Sequence, residues 1–172
     1  SLLFKDIQKN YKTLSGSKKL PAEFSCHDSF KPEQAITLLA FLDSMGYARR
    51  CLKSIDVLFP SVLKRYAGQI SSFIKARDTL NLKIGNAKFE MGDAMNLPLE
   101  DNSIDGIITS PPYSIAIDYA ENDKPQLEYL GYNVSNLKNE MIGLKGRTKK
   151  EKLAFYFGDM DKVLSEMNRV LK

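Results

Sequence analysis

Four residues in the second half of the chain, Ser110-Pro111-Pro112-Tyr113, set a hydroxyl, backbone carbonyls and a phenol ring beside two missing backbone donors. Neither proline has an N–H, so the turn cannot extend a strand into a sheet interior. Each proline also pushes the residue before it out of the helical region, which holds Ser110 and Pro111 extended. The result is a stiff patch of acceptors followed by an aromatic side chain. A planar heterocycle bearing an amino group suits such a patch. Its NH2 would donate to the carbonyl on the Pro111 side and to Ser110, while Tyr113 stacks on the ring face, a contact of roughly 1–3 kcal/mol per base. Fixed acceptors also favour the pyramidal nitrogen of a transition state in which positive charge develops on the amine. Holding that nitrogen in line with an electrophilic carbon supplies the rest by proximity. The other reading of Tyr113 is a half-buried packing aromatic.

The elements around this corner suggest how it is positioned. "AKFEM", residues 87–91, reads as a short strand leading into Gly92-Asp93-Ala94-Met95. "SIDGIITS" reads as another, with Ile104, Ile107 and Ile108 of the β-branched type that strands favour. Between them "NLPLEDNS" is turn chemistry. In an open α/β sheet, ligands bind outside the carboxyl ends of the strands, where both "GDA" and "TSPPY" fall. The two strands are therefore expected to lie adjacent and parallel, with Asp93 and Ser110 at one edge.

Helices account for the remainder. A short one is possible over Leu2–Tyr11. "FKPEQAITLLAFLDSMG" has Pro32 at its first position, Glu33 in its first turn, Gly46 as its stop, and Ile36, Leu38, Leu39 and Leu42 on its buried side. From Pro60 to Leu82, Val62, Leu63, Tyr66, Ile70, Phe73, Ile74 and Leu80 recur at helical spacing, with Gly85 as punctuation. After Tyr132 come a short helix, "VSNLKNEMIG", and a long one ending the chain, whose apolar side is Tyr156, Met160, Val163, Leu164, Met167, Val170 and Leu171. Helices followed by alternating strand and helix predict an α/β fold, with a mainly helical region over 1–84 and an α/β segment over 85–172.

At 172 residues, 43% hydrophobic and 27% charged, the composition is that of a soluble globular chain. No apolar run approaches the roughly 20 residues needed to cross a bilayer. "SLLFKDIQKNYK" lacks a signal-peptide pattern. The first residue is Ser rather than Met, as in a processed chain or a fragment. Two cysteines without a disulfide framework point to a reducing cytoplasm. Cys26 adjoins the single histidine, His27, but the spacing matches no zinc pattern, so no metal is expected. A net charge of +4 is compatible with nucleic acid without arguing for it. The basic cluster "GLKGRTKKEK", residues 143–152, reads either as a solvated linker or as a phosphate contact through residues such as Lys145 and Arg147.

"TSPPY" following "GDAMNLPLEDNSIDGII" resembles the catalytic segment of DNA amino-methyltransferases, the cytosine-N4 and adenine-N6 enzymes that use S-adenosylmethionine. Members carry Asp, Asn or Ser before Pro-Pro and an aromatic residue, and Ser in that place is more usual in the cytosine-N4 type. "SIAIDYAENDKPQLEYLGY" and "LKNEMIG" are similar to a subgroup with Asp-Tyr after the motif, and "EMNRVLK" resembles the helix preceding the next strand. The likeness spans roughly residues 85–172. It implies a partial Rossmann-like methyltransferase sheet with an N-terminal helical region. It also implies that Ser110, Pro111, Pro112 and Tyr113 hold a target base flipped out of DNA. Asp93 would accept from the adenine amino group of the methyl donor, with Gly92, Ala94 and Met95 lining that pocket. Asp118 and Tyr119 would lie near the target base. The other reading of Asp93 is a turn-capping aspartate.

The chain departs from the family in lacking the Phe-x-Gly-x-Gly turn that approaches the donor, since its ten glycines never form Gly-x-Gly. The acid expected at the donor ribose is matched only loosely by Asp56. The chain is therefore expected to be part of a methyltransferase, with a second chain or segment supplying the Gly-rich turn. Two other readings stand beside it. One is an RNA enzyme acting on guanine amino groups of tRNA, whose members usually carry Asp before the prolines. The other is an inactive module that binds DNA or a partner.

Overall fold

The computed structural model describes residues 2–25, 30–113 and 117–172, so Cys26 and His27 lie outside the described residues. Seven α-helices are seen among them: α1 Leu2–Ser15, α2 Pro32–Cys51, α3 Ile55–Thr79, α4 Tyr119–Asn122, α5 Lys124–Tyr129, α6 Val134–Glu140 and α7 Lys149–Val170. The chain divides into two compact units, Ser1–Gly85 with Asn122–Asn133, and Asn86–Glu121 with Val134–Lys172.

The first unit is a helical packing of α1, α2, α3 and α5. Leu14 and Phe24 are fully buried, joined by Leu38, Ala40, Phe41, Phe59 and Val62. Complete burial of such a side chain stabilises by about 1.5–3 kcal/mol. Tyr11 stacks on Phe59, with ring centroids 4.2 Å apart, and donates to Asp56 at 2.5 Å. Tyr129 of α5 closes the core. Its ring lies 5.2 Å from that of Phe41, its hydroxyl donates to the Leu14 carbonyl at 2.9 Å, and its carbonyl accepts from Leu20 N–H at 2.8 Å.

Pro32 opens α2 as expected, and Gln34 turns back to accept from Lys31 N–H at 3.1 Å. Gly46 does not stop the helix. It is buried in mid-helix, where an added Cβ would come within 2.4 Å of the Gln126 side chain, so its role is close approach rather than termination. The helix ends at Leu52, left-handed at φ 54°, whose N–H bonds Ala48 O. Helix α3 starts at Ile55 and carries Pro60 in its interior. Only its first half is covered. Phe59 and Val62 are buried, whereas Ile70, Phe73, Ile74 and Leu80 are exposed.

The second unit corrects the expected fold. Among its described residues there is no strand and no sheet, so the α/β, partial Rossmann-like arrangement predicted from sequence is not found. Residues 87–91 do alternate, with Lys88 and Glu90 paired at 2.6 Å, but Phe89 and Met91 are each 92% exposed. Alternation describes which side chains share a face; a strand exists only when another backbone satisfies its N–H and C=O groups. Among the described residues no backbone pairs with this segment. Ile104 instead forms an isolated parallel bridge with Leu171, accepting from Lys172 N–H at 3.1 Å and donating to Val170 O at 2.9 Å. Ile108, also assigned to a strand, is fully exposed.

Helix α7 is the backbone of this unit. Thr148 caps it by accepting from Glu151 N–H at 3.2 Å, and the Glu151 carboxylate accepts from Arg147 and Thr148 N–H at 2.8 and 3.2 Å, a reciprocal capping box. Val163, Val170 and Asp159 are its buried residues. Among the described residues no helix is long and apolar enough to cross a membrane.

Candidate functional site

The proline corner stands at the surface. Ser110 and Pro111 are exposed, Tyr113 is 64% exposed, and Pro112 is half-buried. Tyr113 is thus not the packing aromatic that the sequence also allowed. One contact fixes the corner to α7: Tyr156 OH donates to the Pro112 carbonyl at 3.2 Å. Helical periodicity assigned Tyr156 to an apolar helix side, and nothing in that pattern signals a hydrogen bond to the corner. Pro112 O is thus engaged, while Ser110, Pro111 and Tyr113 are exposed around it.

Asp93 shapes its own turn. Its carbonyl accepts from Asn96 N–H at 3.0 Å, and its Oδ1 accepts from Met95 N–H at 2.9 Å, as in an Asx turn. Gly92, Asp93 and Met95 form one wall of a hollow of about 730 Å³. Leu137, Glu140 and Lys145 also line it. Ala94 and the Ser110–Tyr113 corner do not line it. The donor-side candidates Gly92, Asp93 and Met95 therefore line an open hollow, and Ser110–Tyr113 form an exposed corner.

The remaining candidates have structural partners. Asp118 caps α4, accepting from Glu121 N–H at 2.9 Å, and pairs with Lys138 at 2.9 Å. Partial burial would raise its pKa, but Lys138 and that N–H outweigh burial and hold the carboxyl below its ordinary value. Tyr119 is half-buried in the first turn of α4. Lys145 donates to Asp159 at 2.9 Å, so its charge faces a buried carboxylate. Arg147 is exposed at the start of α7. Among the described residues no cluster of His, Cys, Asp and Glu could hold a metal ion.

Sequence reasoning missed the clamp that orders the loop between the two places. Arg169 of α7 donates to Glu166 at 2.9 and 2.8 Å, to the carbonyls of Leu97 and Leu99 at 3.0 and 2.8 Å, and to Asp101 at 2.7 Å. Glu166 accepts from Leu97 N–H at 2.8 Å. The Arg169 guanidinium, then that N–H, bring the Glu166 carboxyl down to about 2. Asn102 and Ser103 N–H bond the carbonyls of Arg169 and Val170 at 3.0 and 2.8 Å, pinning the next residues too. A Glu-x-x-Arg step on a helix is the one signal available in sequence, and it suggests only a local ion pair.

With both places described, similarity to known proteins can be set beside them. Over 65 residues the chain is 40% identical to the Type II methyltransferase M.MjaVI of Methanocaldococcus jannaschii, a match covering 37% of this chain and 34% of that protein. The chain thus spans about a third of the curated relative it matches. No protein-family model and no solved structure matches it.

Proposed function

We propose that this chain is part of an S-adenosylmethionine-dependent DNA methyltransferase that acts on an exocyclic amine, cytosine-N4 in preference to adenine-N6. The observation carrying this reading is the exposed Ser110-Pro111-Pro112-Tyr113 corner, whose aromatic ring faces outward while Pro112 is held by Tyr156. The partial likeness to a Type II methyltransferase supports the same class. A target base extruded from the duplex would lie on Tyr113, with its amino group donating to Ser110 Oγ and Pro111 O.

The hollow beside Gly92 and Asp93 suits the methyl donor in size and donor set. Asp93 has a second carboxylate oxygen for an adenine amino group, Glu140 offers an acceptor for ribose hydroxyls, and Met91, Met95 and Leu137 provide apolar contact. When bound, the donor supplies the electrophilic methyl carbon. A second chain or segment would contribute the Gly-rich turn that this sequence lacks. Ser before the prolines favours DNA cytosine over tRNA guanine as the substrate.

The test is transfer of a radiolabelled methyl group to DNA and, in parallel, to tRNA, by the assembled enzyme containing this chain, followed by nucleoside analysis. Label in N4-methylcytosine is expected. Label in tRNA guanine, or transfer to DNA unchanged by Ser110→Ala and Tyr113→Ala, would contradict the assignment.

A further inference from the structure

The charge of the chain is divided unequally between its units. Ser1–Gly85 with Asn122–Asn133 carries fifteen Lys and Arg against nine Asp and Glu, a surplus of six; the other unit carries ten against twelve, a deficit of two. The unit bearing the Ser110–Tyr113 corner is therefore the one with no net attraction for a polyanion. Lys145 there already faces Asp159.

Within the helical unit the surplus runs along α3 and the segment after it. From residue 60 to 85, Lys64, Arg65, Lys75, Arg77 and Lys83 accompany a single acid, Asp78. Lys64 and Lys75 are exposed and eleven positions apart, three helical turns, so they share one face about 16 Å long. Phe59 and Val62 enter the core from the opposite side of the same helix. Lys83 is exposed beyond its end. Beside this face Arg77 is paired with Asp78 at 2.7 Å, and Arg65 is held both by the Asp43 carboxylate and by aromatic rings. Arg65 lies 5.2 Å from the Tyr47 ring and 5.6 Å from that of Tyr66, and it donates to Tyr47 OH at 2.8 Å. Arg50 lies 5.3 Å from the same Tyr47 ring.

We infer that this face of α3, continued by Lys83 and flanked by Arg50 and Arg65, is where the backbone of duplex DNA rests. The inference depends on DNA being the substrate of the proposed reaction and assigns the phosphate contacts to the helical unit rather than to the corner or the basic segment 143–152. Exposed lysines with few acids nearby neutralise phosphates and release counterions, which supplies affinity without sequence information. The base-holding corner can then be weakly acidic, because its task is stacking and hydrogen bonding.

The experiment is anisotropy of a fluorescent duplex titrated with the full chain over a series of salt concentrations. The unaltered chain should bind with an affinity that falls steeply with salt. In Lys64→Gln/Lys75→Gln/Lys83→Gln the log–log slope should become shallower by about three, one per lost phosphate contact. Lys149→Gln/Lys150→Gln/Lys162→Gln, three exposed lysines of the other unit, should keep the original slope. Far-UV circular dichroism checks that helix content is retained. The reverse pattern overturns the inference while leaving DNA as substrate. No duplex binding by the unaltered chain at low salt overturns both. Loss of binding to phosphatidylserine vesicles in the first triple variant, with its DNA slope unchanged, assigns the face to lipid and likewise overturns it.

Discussion

The two units are held together by different physics. Ser1–Gly85 with Asn122–Asn133 packs a cluster of nine buried hydrophobic residues, among them Leu14, Phe24, Phe41 and Tyr129. Among the described residues, Asn86–Glu121 with Val134–Lys172 buries four hydrophobic residues, Ala120, Val134, Val163 and Val170. Its order comes from polar devices instead: the Thr148–Glu151 cap, the Lys145–Asp159 pair and the Arg169 clamp on residues 97–101. Apolar burial is non-directional and resists single changes poorly only where a large side chain leaves a cavity. A polar clamp is directional, and its loss frees a defined segment. The candidate site lies wholly in the second kind of structure.

That contrast can be broken most directly with two phenylalanines. Phe41→Ala should cost about 3–5 kcal/mol in urea unfolding, because Phe41 is 3% exposed in the core. Phe89→Ala should stay within about 0.5 kcal/mol, since Phe89 is 92% exposed. Equal costs would show that residue 89 is covered in solution. A smaller effect is expected for Tyr129→Phe, which removes one of two hydrogen bonds accepted by the Leu14 carbonyl, the other coming from Ser17 N–H at 3.2 Å. About 0.5–1.5 kcal/mol should be lost, and amide exchange should quicken over 122–133.

Arg169→Ala sharpens the comparison from the other side. Amide exchange should accelerate at residues 97–103 with no change in the unfolding midpoint of the helical unit. A uniform loss of protection would mean that the two units unfold as one. The smallest effect is on pH. Glu166 is depressed in the folded chain, so its stabilising contribution is complete above the ordinary Glu pKa, and it fades as pH falls toward about 2. The Leu97 amide resonance should titrate with that low midpoint. A midpoint at the ordinary Glu value would show that the clamp is open in solution.

Helices α2 and α3 were largely legible in the sequence because their signals are local. Pro32 marks a start, and the spacing of Val62, Leu63 and Tyr66 marks a face, although α3 begins at Ile55 rather than at Pro60. Gly46 misled because glycine serves both as a helix stop and as a point of close approach, and only Gln126, eighty residues away, distinguishes them. Tyr129 belongs to that core through contacts no local pattern encodes. In the second unit the alternation at 87–91 was real, but pairing is non-local, and the backbone of Ile104 went to Leu171. For the site, proline chemistry indicated a stiff corner, and the structure places it at the surface. Tyr156 and Arg169, which fix the corner and the neighbouring loop, were invisible because each works through a backbone group far away in the chain.

The central claim is that Tyr113 and Ser110 receive an amino-bearing base. Its most direct test is a nuclear magnetic resonance titration of the chain, labelled at tyrosine and serine, with a short single-stranded oligonucleotide carrying one cytosine among abasic positions. Saturable upfield shifts of the Tyr113 ring, accompanied by a shift at Ser110 and lost when cytosine is replaced by an abasic unit, are predicted. Resonances of Tyr113 that do not move, or that move equally without the base, would contradict the account.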